Sequence, residues 1–143
     1  MASCRTMANS FMRSRHIAAS PDATWAVVGD SMRLPEWFGI VTDVRLEGDR
    51  RIVGLKGGAE LTERFVLRDD SARRYVYAVE AGASTPMTYH RAGFDVEDDG
   101  SGGSVVRWWT DARTVDPEAD LEERLGPAFD AGLDSLTRLL EGT

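Results

Sequence analysis

Lysine is almost absent from this chain: of 17 basic residues only Lys56 is one and the rest are arginines, a bias that reads as the codon usage of a GC-rich genome and not as a functional signal. Cysteine occurs once, at Cys4, so there is no disulfide framework and no thiolate metal site. The two histidines, His16 and His90, have no partners at zinc-ligand spacing, so no metal is expected. No apolar run approaches the ~18 residues of a membrane-spanning helix. Met1 to Ser10 lacks the apolar core of a secretion signal, which predicts a cytoplasmic protein, and Met7 could serve as an alternative start. A net charge of −7 without any Lys/Arg cluster excludes a nucleic-acid footprint. Phosphate-cradling loops are missing too, because Gly57-Gly58 and Gly100-Ser101-Gly102-Gly103 sit in hairpin turns. No Gly-x-Ser-x-Gly elbow is present.

What is present is the pattern of one globular domain. Hydrophobic content of 42% and charged content of 29% are ordinary, and 143 residues suit a single core. Residues 1–10 are expected to be a loose N-terminus and 11–143 the domain. The most regular stretch is the last, Pro117 to Leu140. Asp116 is the expected N-cap, Pro117 the first helical residue, and Leu121, Leu125, Phe129, Leu133, Leu136 and Leu140 form one apolar stripe. Gly126-Pro127 predicts a kink, since Pro127 cannot donate to the carbonyl of Glu123.

Upstream the period changes. Phe11 to Ser20 reads as a strand, Pro21 to Gly29 and Met32 to Phe38 as two short helices, and six further strands follow. These are Val41–Glu47, Arg50–Leu55, Ala59–Arg68, Arg74–Glu80, Thr88–Glu97 and Val105–Val115, separated by turn residues. Short turns between consecutive strands imply an antiparallel meander, with the long helix lying across it in a two-layer α+β fold. Such a curved sheet tends to leave a space under its helix, a natural small-molecule site.

In this order the chain resembles the START-like, helix-grip superfamily (SRPBCC), and within it the polyketide cyclase/dehydrase branch. The likeness rests on HIAASPDATWAVVGDSMRLPEWFGIV, on EGDRRIVGLKGGAELTERFVLRDD with Arg51 and Glu63, on RRYVYAV, on the glycine-rich hairpin before Trp108-Trp109, and on GPAFDAGLDSLTRLL. The resemblance implies a curved antiparallel sheet of about seven strands wrapped around the C-terminal helix. The superfamily includes cyclases, dehydratases, lipid carriers and hormone receptors, so fold alone does not settle function.

Strand alternation sorts the side chains. In the fourth strand Leu61, Glu63, Phe65 and Leu67 share a face, which puts one carboxylate among apolar residues. Arg51 has the parity of Val53 and Leu55, and the Lys56-Gly57-Gly58 turn would bring it to Glu63. This pair reads either as a catalytic constellation or as a structural ion pair under the helix. Tyr75 and Tyr77 share an inner face; Thr88, His90, Ala92 and Phe94 another; Val106, Trp108, Thr110 and Ala112 a third, with Trp109 outside. Trp37 is placed at the cavity mouth, and the facing of His16 is ambiguous. Substrate contacts are expected from Trp37, Phe65, Thr88, Phe94, Trp108 and Phe129, aromatic walls that suit a flat, conjugated ligand.

Two functions follow. One is a cofactor-independent cyclase or dehydratase of secondary metabolism, as the resemblance implies. Arg51 would stabilise an enolate or alkoxide, Glu63 would orient Arg51 or shuttle a proton, and Tyr75, Tyr77 or His90 would act as the acid. The other is a carrier or sensor of an apolar ligand, which needs the same cavity and fewer polar groups. A chaperone-activator role, known in some relatives, would need an exposed apolar patch that the sequence does not show. The expected partner is an apolar or aromatic small molecule, and a homodimer is compatible with the chain.

Overall fold

In a computed structural model, which describes residues 7–83, 86–116 and 118–142, alternation and turns build seven strands and three helices. The elements are β1 (Met7–Ile17), α1 (Pro21–Val28), a 3-10 turn (Ser31–Arg33), α2 (Leu34–Trp37), β2 (Val41–Glu47), β3 (Arg50–Leu55), β4 (Glu60–Asp69), β5 (Arg74–Ala81), β6 (Met87–Asp98), β7 (Ser104–Thr114) and α3 (Leu121–Glu141). All strand pairs are antiparallel, in the order β1-β7-β6-β5-β4-β3-β2. The first strand therefore closes against the last, and the short helices carry the chain across to β2 at the far edge. This is the helix-grip fold.

The first strand starts earlier than its sequence pattern suggests. Met7 to Ser10 lack alternation, yet they pair with β7 as far as Thr114, so these residues are not loose; residues 1–6, with Cys4, lie outside the described residues. Polar side chains fasten this segment. Asn9 Nδ2 donates to Thr114 Oγ1 at 2.8 Å, and Asn9 Oδ1 accepts from the Leu121 amide at 3.2 Å.

The start of α3 differs as well. Asp120, not Asp116, is the N-cap, accepting from the Glu123 amide at 3.1 Å. Asp116 instead accepts from the Glu118 amide in a preceding turn, and Pro117 lies outside the described residues. Asp120 immediately precedes the first buried apolar residue of the helix, Leu121, and carries Glu123 three positions on, which is the sequence pattern of a capping box. The helix runs on through Pro127, which lies on its exposed side. Its apolar stripe faces the sheet, with Leu121, Phe129, Leu133 and Leu136 buried. Arg13 and Arg15 on β1 hold its flank through Glu122, Asp130 and Asp134 at 2.6 to 3.2 Å. Such half-exposed pairs contribute roughly 0–1 kcal/mol each and serve mainly to orient the helix.

The core is aromatic. Trp108 stacks on Phe129 with ring centroids 3.8 Å apart and an interplanar angle of 6°, and Trp37 meets Phe94 and Trp108 edge-on at 5.7 Å. Gly132 allows α3 to come this close, since a Cβ there would lie 3.2 Å from both Phe38 and Trp108. Among the described residues no helix is long and apolar enough to cross a membrane.

Candidate functional site

Between the sheet and α3 lies a cavity of about 130 Å³. Arg51, Glu63, Tyr77, His90, Trp108 and Thr110 reach it from the sheet. Leu34, Phe38 and Ile40 close one end, and Leu125, Ala128 and Phe129 descend from α3. Ile40 is exposed, so the rim lies beside it.

Alternation and one turn bring Arg51 and Glu63 together as direct cross-strand partners. Both are buried, at 2% and 5% exposure, and Arg51 Nε donates to Glu63 Oε1 at 2.6 Å. Arg51 Nη1 donates to Ser31 Oγ at 3.0 Å and to Tyr75 Oη at 3.2 Å. The guanidinium carbon also lies 4.6 Å from the Tyr77 ring centroid and 5.3 Å from that of Tyr75. Burial disfavours the charge on Arg51, but Tyr75, Glu63 and Tyr77 outweigh it and hold the group above the usual arginine range. The charge is permanent and most of its donor capacity is already committed.

The two tyrosines are buried on the inner face, as parity predicts. Burial, reinforced by Glu63, raises both phenols, offset in part by Arg51. Tyr77 Oη accepts from Trp108 Nε1 at 3.3 Å. His90 is buried too, and burial followed by the charge on Arg91 lowers its pKa to about 4. The β5–β6 ladder stops at Tyr77 and Ala92, and the Val79 amide donates to His90 Nδ1 at 3.1 Å. His90 is therefore neutral at pH 7, with Nδ1 engaged and its proton on Nε2. None of the phenols or the imidazole has its pKa drawn toward neutrality, where an efficient proton-transfer group would sit.

Three expected contacts lie elsewhere. Thr88 is exposed, because a bulge between Met87 and Tyr89 breaks the alternation and turns Met87 toward the core instead. Phe65 stands outside the cavity; its ring packs edge-on against Tyr75 at 5.7 Å and lines an outer groove with Trp25 and Arg68. A register shift after Phe65 also leaves Leu67 exposed, against its parity. Trp37 is 1% exposed and belongs to the core, not the mouth, where Phe38 and Ile40 stand in its place. Phe94, Trp108 and Phe129 line the cavity as expected. His16 is exposed and pairs with Asp99 on the hairpin.

Two polar groups were missed. Ser31 reaches Arg51 only through the tertiary fold. Thr110, 2% exposed, has a hydroxyl with no hydrogen-bond partner among the described residues; its parity already put it on the inner face of β7. The outer groove beside Trp25 is larger, about 620 Å³, but it is open and its charges satisfy one another, with Trp25 Nε1 and Arg68 both donating to Asp70 at 3.0 Å. The more enclosed cavity beneath α3 is the better site.

Solved structures with this architecture include the protein XoxI from Bacillus cereus, 25% identical over 92% of this chain and 95% of that one, with a TM-score of 0.82. A Thermobifida fusca protein is 31% identical over 92% of each chain, with a TM-score of 0.79. Norcoclaurine synthase from Thalictrum flavum, in complex with dopamine and hydroxybenzaldehyde, is 21% identical over 96% of this chain and 88% of that one, with a TM-score of 0.73. No curated protein matches the sequence. The seven-stranded grip on α3 and the cavity it encloses accord with a family profile that matches residues 9–141, and the chain belongs to the polyketide cyclase/dehydrase and lipid transport family.

Proposed function

We propose that this protein binds a small, largely apolar molecule of single-ring size in the cavity beneath α3, as a carrier or sensor. The supporting observation is a partly enclosed aromatic cavity holding a buried polar cluster, Arg51, Glu63, Tyr77, His90 and Thr110. Its volume of about 130 Å³ is close to the ~150 Å³ engineered cavity that takes up benzene and below the ~300 Å³ of typical ligand pockets. A polycyclic polyketide would require α3 or the Phe38–Ile40 rim to move. Norcoclaurine synthase, of the same fold, binds dopamine and hydroxybenzaldehyde, which are single-ring molecules.

A cofactor-independent cyclase or dehydratase is the second reading, favoured by one feature. The neutral His90 offers an Nε2–H that could stabilise a carbonyl oxygen as it gains negative charge. Glu63, held by Arg51, would be the candidate proton acceptor and Tyr77 a second donor. The phenols and His90 fit donation better than full proton transfer.

Nuclear magnetic resonance of the full chain titrated with benzene tests the binding reading. Shifts confined to Trp108, Thr110, Leu125 and their neighbours are expected. Undisturbed cavity signals would refute it. Native mass spectrometry of protein from its own cells then supplies the natural ligand. Incubation returns that ligand unchanged from a carrier and converts it in an enzyme.

A further inference from the structure

We infer that the cavity selects a neutral single-ring molecule bearing a hydrogen-bond acceptor oxygen, a carbonyl or hydroxyl, with Thr110 Oγ and His90 as its polar anchors. This rests on the cavity being a ligand site.

Charge is the first consideration. Arg51 and Glu63 cancel inside the cavity, and Arg51 Nε and Nη1 are engaged by Glu63, Ser31 and Tyr75. A carboxylate or ammonium on the ligand would enter low-dielectric surroundings with no free counter-charge, a heavy desolvation penalty. A neutral ligand avoids it.

Hydrogen-bond direction is the second. Thr110 Oγ is buried and has no partner among the described residues, so it is the cavity's unmet polar group. His90 accepts the Val79 amide at Nδ1, so only its Nε2–H remains for a ligand, and that group only donates. Trp108 Nε1 is already used by Tyr77. The free capacity therefore suits an acceptor.

Spacing is the third. His90 faces Ala112 and Thr110 faces Ala92 in the β6–β7 ladder, so the two are diagonal neighbours on one face, with Cβ atoms roughly 7 Å apart or less. Tyr77 and Thr110 flank the small Ala92 in one cross-strand row. One ligand oxygen can lie between the hydroxyl and the imidazole while its ring occupies the aromatic end at Phe94, Trp108 and Phe129.

The test compares four probes of equal heavy-atom count, acetophenone, isopropylbenzene, benzoate and benzamidinium, by calorimetry on the full chain. Acetophenone is expected to bind at least tenfold tighter than isopropylbenzene, and the two ions not measurably. Thr110→Val, close in shape, should cut the acetophenone advantage severalfold, with the His90 donor remaining, and leave isopropylbenzene within twofold. Thr110→Ser should retain the advantage. Benzoate or benzamidinium binding as tightly as acetophenone would overturn the inference, as would an unchanged advantage in Thr110→Val. In both cases isopropylbenzene would still bind and the cavity reading would stand. Failure of isopropylbenzene and acetophenone alike to bind would overturn both.

Discussion

Replacing Glu63 by leucine should be far more damaging than replacing Glu63 and Arg51 together. In Glu63→Leu the Arg51 guanidinium stays buried and charged without a counter-ion, since arginine cannot shed its proton at any working pH. Breaking a buried pair from one side costs roughly 3–5 kcal/mol. With a urea slope of about 2 kcal/mol/M for a domain of this size, the midpoint should fall by roughly 2 M. The double variant Arg51→Met/Glu63→Leu removes both charges. It also forfeits the hydrogen bonds to Ser31 and Tyr75, about 1 kcal/mol each, while escaping both desolvation penalties, so it should lie within about 2 kcal/mol of the parent. Arg51→Met alone leaves Glu63 buried without its partner and should also cost more than the double variant. Urea melts of the four proteins complete the cycle. Single variants each costing under about 1 kcal/mol, or costs that simply add in the double, would show that the pair is not a coupled, desolvated unit.

Three further outcomes follow from the cavity wall. Thr110→Val should raise the stability of the ligand-free protein by about 1 kcal/mol, because an unpaired buried hydroxyl is removed; a fall in melting temperature would mean that the hydroxyl has a bonded partner. For His90 the folded pKa of about 4 lies below the ordinary 6.5, so the unfolded chain binds more protons between these values and stability is lost as the pH falls through that window. Between pH 7.5 and 5 this amounts to about 2 kcal/mol, read as the difference between the parent and His90→Gln, and parallel curves for the two would refute it. Phe129→Ala should cost roughly 3–5 kcal/mol and widen the cavity enough to admit naphthalene-sized probes; an unchanged upper size limit in the folded variant would show that the surroundings collapse into the space.

Much of the site was legible from alternation. Arg51 and Glu63 were paired by strand parity and one glycine turn, and Tyr75, Tyr77, His90, Phe94 and Trp108 fell on the inner face for the same reason. Alternation fails where the ladder is irregular. A bulge exposes Thr88, and a register shift beyond Phe65 exposes Leu67. The shift beyond Phe65 has no glycine or proline to announce it, and Pro86, just before the bulge, marks only the start of β6. Trp37 and Phe38 are adjacent in the chain, and only packing beneath Gly132 decides which is core and which is rim.

The sequence by itself determined the element order, the strand boundaries to within a few residues, the apolar stripe of α3 and the buried ion pair. All of these depend on periods of 2 or 3.6 residues and on turn chemistry, which are local. The tertiary structure decided that β1 closes on β7 from Met7 onward, that Ser31 meets Arg51 across 20 residues, and that the Thr110 hydroxyl stands without a partner. It also decided the size of the cavity, because a void is the difference between packed surfaces, and no single segment encodes how closely two others approach.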